Sequence, residues 1–248
     1  MPQSRNLPSW LAVPYAVYAL SAFTLLAVGA LILVLPVPWL SLRRRMVRSA
    51  ARSALFVCGM RLVILHPERL PANACVVVAN HSSYLDGIVL YAALPPVFGF
   101  VIKREMSKVP LANLLLRRIG MHYVDRDRSQ KSARDTRKLL KQAAAGGALA
   151  FFPEGTFSEE PGLLRFRSGA FVVAARAGLA VMPVAIRGTR DALPSRSMLP
   201  RPARIEIELT PLLSPPASTA AADVATTMTA ARQAILARIA EPDLAPDS

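Results

Sequence analysis

Acidic residues are scarce in this chain, cysteines are scarcer, and one long stretch carries no charge at all. The two cysteines, Cys58 and Cys75, cannot build a disulfide framework, and neither stands at a metal-ligand spacing. The three histidines, His66, His81 and His122, are too scattered to nominate a metal site, so no metal is expected. Asp and Glu total 16 against 30 Lys and Arg, a net charge of +14. That balance asks for an anionic partner: nucleic acid, an acidic protein or an anionic lipid surface. Zinc-finger spacing and the aromatic signature of RNA-binding domains are both missing, which argues against nucleic acid. No internal repeat is present. Apolar side chains, by contrast, are abundant: 53% of the 248 residues, with a mean hydropathy of +0.35. The length suits one domain plus an appendage.

The charge-free stretch is residues 12–35. As a helix it extends roughly 36 Å, enough for the ~30 Å hydrocarbon core of a bilayer. A secretory signal would have a shorter apolar region followed by a small-residue cleavage site. Here Pro36, Pro38 and Trp39 come next, then Arg43, Arg44 and Arg45. Arginine is thin before the stretch (Arg5) and dense after it, so a spanning helix places everything after residue 40 in the cytoplasm. Residues 41–60 read as a second helix, with Arg44, Arg48 and Arg52 stacked on one face at four-residue spacing. A basic amphipathic helix beside a membrane segment suggests binding to anionic head groups, the plain alternative being a solvated charged face. Residues 1–59 therefore read as membrane-associated helices, either spanning the bilayer or dipping into one leaflet as a hairpin.

From residue 61 the pattern becomes alternating. Strand-like runs are 62–65, 75–79, 98–102, 121–124, 149–152, 181–186 and 205–209. Helix-like segments lie near 83–94, 106–118, 129–145 and 168–177, with Gly146 and Gly178 as stop signals. Strands separated by helices of this length predict an α/β domain over 60–211, a mainly parallel sheet covered by helices. Glu206 and Glu208 alternate with apolar residues, the mark of a half-exposed strand. Residues 212–248 read as a linker rich in Pro, Ser and Ala, then a helix over about 222–239 and a frayed tail.

Chemistry concentrates at the C-terminal ends of the strands. Asn80-His81-Ser82-Ser83-Tyr84-Leu85-Asp86-Gly87 leaves a buried strand and opens a helix stopped by Pro95 and Pro96. In a plain helix His81 and Asp86 would point about 140° apart. Contact therefore requires His81 in the turn and Asp86 facing back from the first helical turns. A carboxylate so placed holds one imidazole nitrogen and leaves the other free as a base. The bland reading is a helix-capping His with an unrelated surface Asp. Lys103-Arg104-Glu105, Asp125-Arg126-Asp127-Arg128 and Phe152-Pro153-Glu154-Gly155-Thr156-Phe157-Ser158 end three further strands. Singly, each cation reads as surface charge. Together, one base, several cations and a glycine turn suit a substrate with a phosphate and a nucleophilic hydroxyl. Ser82 and Ser83 adjoin the base, but no Gly-x-Ser-x-Gly elbow exists to make either a nucleophile.

The ordered set NHSSYLDG, KRE, GMHYVDR, FPEGTFS and VMPVAI resembles the glycerolipid acyltransferases, specifically the 1-acyl-sn-glycerol-3-phosphate acyltransferases, over about residues 60–190. The resemblance implies a catalytic dyad at His81 and Asp86 and phosphate binding at Arg126. It implies acceptor binding at Glu154, Gly155 and Thr156, and places Lys103 near the reacting centre. It also implies no bound cofactor, with an acyl thioester of acyl carrier protein or coenzyme A as co-substrate and a lysophospholipid as acceptor. Membrane-binding N-terminal helices belong to the family, which agrees with residues 12–59. With the arginine-rich second helix and the positive-inside reading, the expectation is an anionic phospholipid membrane with the catalytic domain on the cytoplasmic face. An acidic acyl carrier protein is a further partner, docking on Lys131, Arg134, Lys138 and Lys141, although a solvated helix face is the ordinary reading of that set. The match departs at Phe157, where the family commonly carries Arg, so another lysolipid acceptor stays open. A non-catalytic basic protein docking on anionic membranes explains the charge equally well, but gives no reason for His81 and Asp86 at this spacing.

Overall fold

A computed structural model describes residues 8–124, 129–197 and 199–245. Among them the strands are β1 (Arg61–Leu65), β2 (Val76–Ala79), β3 (Gly99–Lys103), β4 (His122–Val124), β5 (Leu149–Phe151), β6 (Val181–Arg187) and β7 (Arg204–Leu209). The helices are α1 (Ser9–Val34), α2 (Leu40–Val57), α3 (Asp86–Ala93), α4 (Pro110–Arg118), α5 (Ser129–Ala144), α6 (Gly169–Ala177), α7 (Thr189–Ala192) and α8 (Ala221–Ile239). Every expected strand and helix is present. The pairs β1–β7, β2–β5, β2–β6, β3–β4 and β3–β5 are all parallel, as the helical crossovers require. Contacts group the chain into two compact units. The first holds Met1–Leu65, Ser82–Pro96 and Ile186–Glu208; the second holds His66–His81, Val97–Ala185 and Leu209–Ser248.

In the first unit α1 and α2 form the helical hairpin. Pro36 and Pro38 interrupt the helix between them, and the Arg43 guanidinium fastens the connection by donating to the Val37 and Pro38 carbonyls, both at 2.6 Å. The Tyr15 hydroxyl donates to the Cys58 carbonyl and Tyr18 to that of Val57 at 3.2 Å, tying the start of α1 to the end of α2. Buried Ala16, Ala19 and Ala54 keep the packed side chains small, which lets helices approach closely. Elsewhere α1 leaves Trp10, Val13, Val17, Leu20, Leu25, Ile32 and Leu33 exposed. Trp10–Val34 is long and apolar enough to cross a membrane, with a mean hydropathy of 2.4.

The arginine ladder on α2 has protein partners that the head-group reading did not include. Arg44 is buried and donates to the Pro96 carbonyl at 3.3 Å; Arg48 donates to Ala93 at 3.0 Å and Arg52 to Ala92 at 2.9 Å. The three side chains therefore reach the C-terminal end of α3, Arg44 buried and Arg52 still exposed. The physical reason is that the last carbonyls of a helix have no partner within it and carry partial negative charge. Burial lowers the pKa of Arg44 and Arg48 from the ordinary guanidinium value. A hydrogen bond from a charged donor contributes about 1.5–3 kcal/mol, so Arg48→Ala is expected to lower unfolding stability by about that amount. Recruitment to anionic and neutral vesicles should stay in the same ratio. A fully stable variant that loses anionic vesicles alone would return the ladder to the head groups.

Also in this unit, β1 pairs with β7 in register from Arg61 with Arg204 to Leu65 with Glu208. Glu206 and Glu208 are partly buried because the Arg187 guanidinium bridges them, at 2.9 Å to each. Burial raises the Glu206 pKa, but the hydrogen bonds and charges of Arg187 and Arg204 outweigh it and hold the carboxyl below its usual value. Gly188, before α7, has φ +84°, and a Cβ there would come within 2.2 Å of the Arg204 carbonyl oxygen. Only glycine fits.

The second unit orders its strands β6-β2-β5-β3-β4. All four residues of β2 are buried, the continuous apolar reading of a central parallel strand. Its core joins Val76, Val78, Leu149 and Val181 on the strands to Leu139 on α5, Phe171 and Ala174 on α6, and Ile235 on α8. Gly178, at φ +62°, ends α6 as the sequence predicts. The tail after α8 is pinned where Arg232 grips Asp243, Nη1 to Oδ2 at 2.7 Å. That hydrogen bond pulls the Asp243 pKa from 3.8 to about 2. The folded value is depressed, so the stabilisation is complete above about pH 4 and fades as pH falls through about 2. Asp243→Asn is expected to flatten that part of an acid-unfolding curve, and an unchanged curve would remove the pair from the stability account.

Candidate active site

β2 delivers His81, and β5 delivers what holds it. Register pairs Val78 with Phe151, so the segments leaving the two strands run side by side within the second unit. The His81 backbone N–H donates to Glu154 Oε1 at 2.6 Å, while Glu154 Oε2 accepts the Leu164 N–H at 2.8 Å. Glu154 is buried and thus serves backbone amides 73 positions upstream and 10 downstream. The sequence reading gave it an acceptor-binding role. In the structure its two carboxylate oxygens each accept a backbone amide, which satisfies the buried group.

The turn bearing Glu154 has its own logic. Gly155 N–H donates to the Phe152 carbonyl at 3.1 Å, and Gly155 takes φ +79°. Pro153 presets the second position of this turn. The Arg167 N–H donates to the Pro153 carbonyl at 2.9 Å, so the loop returns and leaves Arg165 and Arg167 exposed beside the turn. Thr156 is exposed and Gly155 is buried.

Two aromatic rings clamp the half-buried His81 imidazole. Phe152 stacks on it at 4.5 Å between centroids, and Phe157 meets it edge-on at 4.8 Å. Phe157 therefore has a place in the site: it packs against the candidate base. The sequence reading missed Phe152, whose only signal is its position at the end of β5. Lys103, at the end of β3, is exposed and lies 4.0 Å from Glu105. β5 separates β3 from β2, which sets Lys103 on the same edge about 10 Å along it by strand spacing. Arg126 lies outside the described residues, and so do the side chains of Lys131 and Arg134.

In the first unit the chain continues at Ser82. Asp86 is the first residue of α3 and is fully buried, and its Oδ2 accepts the N–H groups of Ser82 at 2.6 Å and Ser83 at 2.7 Å. The carboxylate thus faces back along the turn. Negative charge also suits the N-terminus of a helix. The Ser82 hydroxyl meets that of Thr189 at 3.2 Å, and Ser83 donates to the Leu193 carbonyl at 3.0 Å. Both serines are buried in this packing, which gives neither the exposure a nucleophile needs. Thr189 is a second residue the sequence reading missed.

These features define a class: an α/β protein that presents a histidine at the end of a parallel strand and a buried aspartate at the start of the next helix. The Acyltransferase family model matches residues 61–187, about half of the chain and a span that contains His81, Asp86, Lys103, Phe152, Glu154 and Phe157. The chain belongs to the acyltransferase family. It is 35% identical over 162 residues to a 1-acyl-sn-glycerol-3-phosphate acyltransferase of Chlamydomonas reinhardtii, covering 62% of this chain and 47% of that protein. It is 31% identical over 135 residues to the human 1-acyl-sn-glycerol-3-phosphate acyltransferase beta (54% and 49%), and 30% over 158 residues to the enzyme of that name from Neisseria gonorrhoeae (62% and 61%). The chain spans about half the length of the curated relatives it matches. The crystal structure of the 1-acyl-sn-glycerophosphate (LPA) acyltransferase PlsC from Thermotoga maritima shares the fold, with a TM-score of 0.74, 19% identity, and coverage of 92% of this chain and 93% of that one.

Proposed function

We propose that this protein is an acyltransferase that moves a fatty acyl group from a thioester to the free hydroxyl of lysophosphatidate, making phosphatidate for phospholipid synthesis. The observation that carries the reading is His81. Its imidazole is clamped by Phe152 and Phe157 at the end of β2, and its backbone is tied to Glu154, inside the span matched by the family. The names of the curated relatives supply the acceptor, 1-acyl-sn-glycerol-3-phosphate, and its acylation yields phosphatidate.

In the proposed reaction the imidazole removes the hydroxyl proton as that oxygen attacks the thioester carbonyl. Asp86 orients the ring and stabilises its charged form. Backbone N–H groups or Lys103 stabilise the tetrahedral oxyanion. Collapse breaks the carbon–sulfur bond, the imidazolium protonates the departing thiolate, and ester and free thiol leave. No covalent enzyme intermediate or cofactor enters. Acyl carrier protein and coenzyme A are the two donor classes, and the basic α5 face with Lys138 and Lys141 is a docking place for the acidic carrier. The acceptor phosphate is held by Arg126, with the exposed Arg165 and Arg167 on the loop that returns to the glycine turn. The protein sits on an anionic membrane through the α1–α2 hairpin, its catalytic part on the cytoplasmic face.

Phe157 favours a second reading in which the acceptor is a lysolipid with a different head group. An apolar ring against the base replaces a guanidinium that would grip phosphate through two hydrogen bonds. Purified protein assayed with both donors and a panel of lysolipids separates the two. Arg126→Ala is expected to raise KM for lysophosphatidate while sparing phosphate-free acceptors, since a contact made equally in ground and transition states appears in KM. A wild-type preference for a lysolipid without a phosphomonoester, unchanged by Arg126→Ala, would assign Phe157 to the second reading.

A further inference from the structure

Between β3 and β4 the chain buries Ile119 and, from Arg104 to Arg118, no other residue. A 3-10 turn over Arg104–Lys108 runs into α4, and neither contains a buried residue. Met106, Val109, Leu111 and Leu114 are all exposed, although a helix on a soluble domain normally turns its apolar residues toward the core. Leu111, Leu114 and exposed Arg117 succeed one another at three-residue spacing, which keeps neighbours on one face. Exposed Lys108 precedes them. Glu105 is the one acidic residue in 104–118, and it lies beside Lys103. An apolar ridge with a cationic rim is the pattern of a helix lying in a membrane interface.

We propose that this segment is a docking surface for an anionic bilayer, inserting Met106, Val109, Leu111 and Leu114 among acyl chains with Lys108 and Arg117 at the phosphate level. Charge favours lipid as the occupant: the rim is cationic, and the chain as a whole carries +14. The apolar α1 also gives the chain a helix able to hold it at a bilayer. The surface begins directly after Lys103, on the strand edge that carries His81. Docking there opens that edge toward a membrane-dissolved acceptor. The surface deepens the acyl-transfer reading and rests on it only for this purpose.

The test uses the full chain with Leu111→Cys or Leu114→Cys carrying an environment-sensitive fluorophore. Cys58 and Cys75 are buried, and burial pushes the Cys75 thiol up to about 12, so labelling goes to the new thiol. Thr226→Cys, on the exposed side of α8, is the control. With vesicles of phosphatidylcholine and phosphatidylglycerol, labels at 111 and 114 are expected to shift to the blue and escape aqueous quenchers, while the label at 226 does neither. Combining Lys108→Gln with Arg117→Gln is expected to lower the docked-to-undocked ratio on the order of 30-fold on these vesicles and leave it unchanged on phosphatidylcholine alone. Labels that stay wet in vesicle-bound protein overturn the proposal. So does a blue shift without vesicles, whether it tracks protein concentration (a second copy) or added acyl carrier protein (a protein site). Docking requires no catalysis, so it should persist in His81→Ala. An inactive wild-type protein that still docks would remove the acyl-transfer reading alone.

Discussion

Replacing His81 with alanine is expected to lower acyl transfer by about 10²–10⁴-fold, the usual contribution of a general base. The bond to Glu154 uses the His81 backbone N–H and not the ring, so alanine keeps the link between the β2 and β5 loops. What disappears is the base and its contacts with Phe152 and Phe157. An aromatic pair contributes about 0.5–1.5 kcal/mol beyond its buried area, too little to unfold an ordinary domain. Rates measured beside matched thermal unfolding curves separate lost chemistry from lost structure. Full activity in His81→Ala would leave the proposed mechanism without a base.

Asp86→Asn is expected to lower kcat on the order of 10²–10⁴-fold with little change in KM, because removing the negative charge behind a catalytic imidazole acts on its charged form. The amide oxygen can still accept the Ser82 and Ser83 N–H groups, so the turn into α3 should keep its shape. Asp86→Ala differs in kind. It leaves two buried backbone donors without that acceptor, at about 1–3 kcal/mol each, and should lose stability as well as rate. An asparagine variant with full kcat would reduce Asp86 to a cap on α3.

The sequence made the strands legible because central parallel strands read as unbroken apolar runs, as in Val76-Val77-Val78-Ala79. Gly146 and Gly178 marked helix ends because both need positive φ. The turn from His81 to Asp86 was legible because the aspartate closes it locally, binding amides three and four positions away. What stayed hidden was non-local. Four-residue spacing showed that Arg44, Arg48 and Arg52 share a face, but their partners lie 52, 45 and 40 positions away, and a helical pattern does not say which negative end it meets. Glu154 was legible as a site residue and not as the carboxylate that serves amides on either side of it. Phe157 was legible as a departure from a family pattern, while its contact with the imidazole needed the fold.

The central claim is direct transfer: the acceptor hydroxyl attacks the thioester with His81 as base, and no acyl-enzyme forms. The measurement that tests it most directly incubates purified wild-type protein with acyl thioester, with and without lysophosphatidate, and counts free thiol, phosphatidate and protein-bound acyl group together. The account predicts one thiol released per phosphatidate formed, negligible thiol without acceptor, and no acyl group on the protein in either case. A burst of thiol without acceptor, matched by an acyl group recovered on the protein, would contradict it.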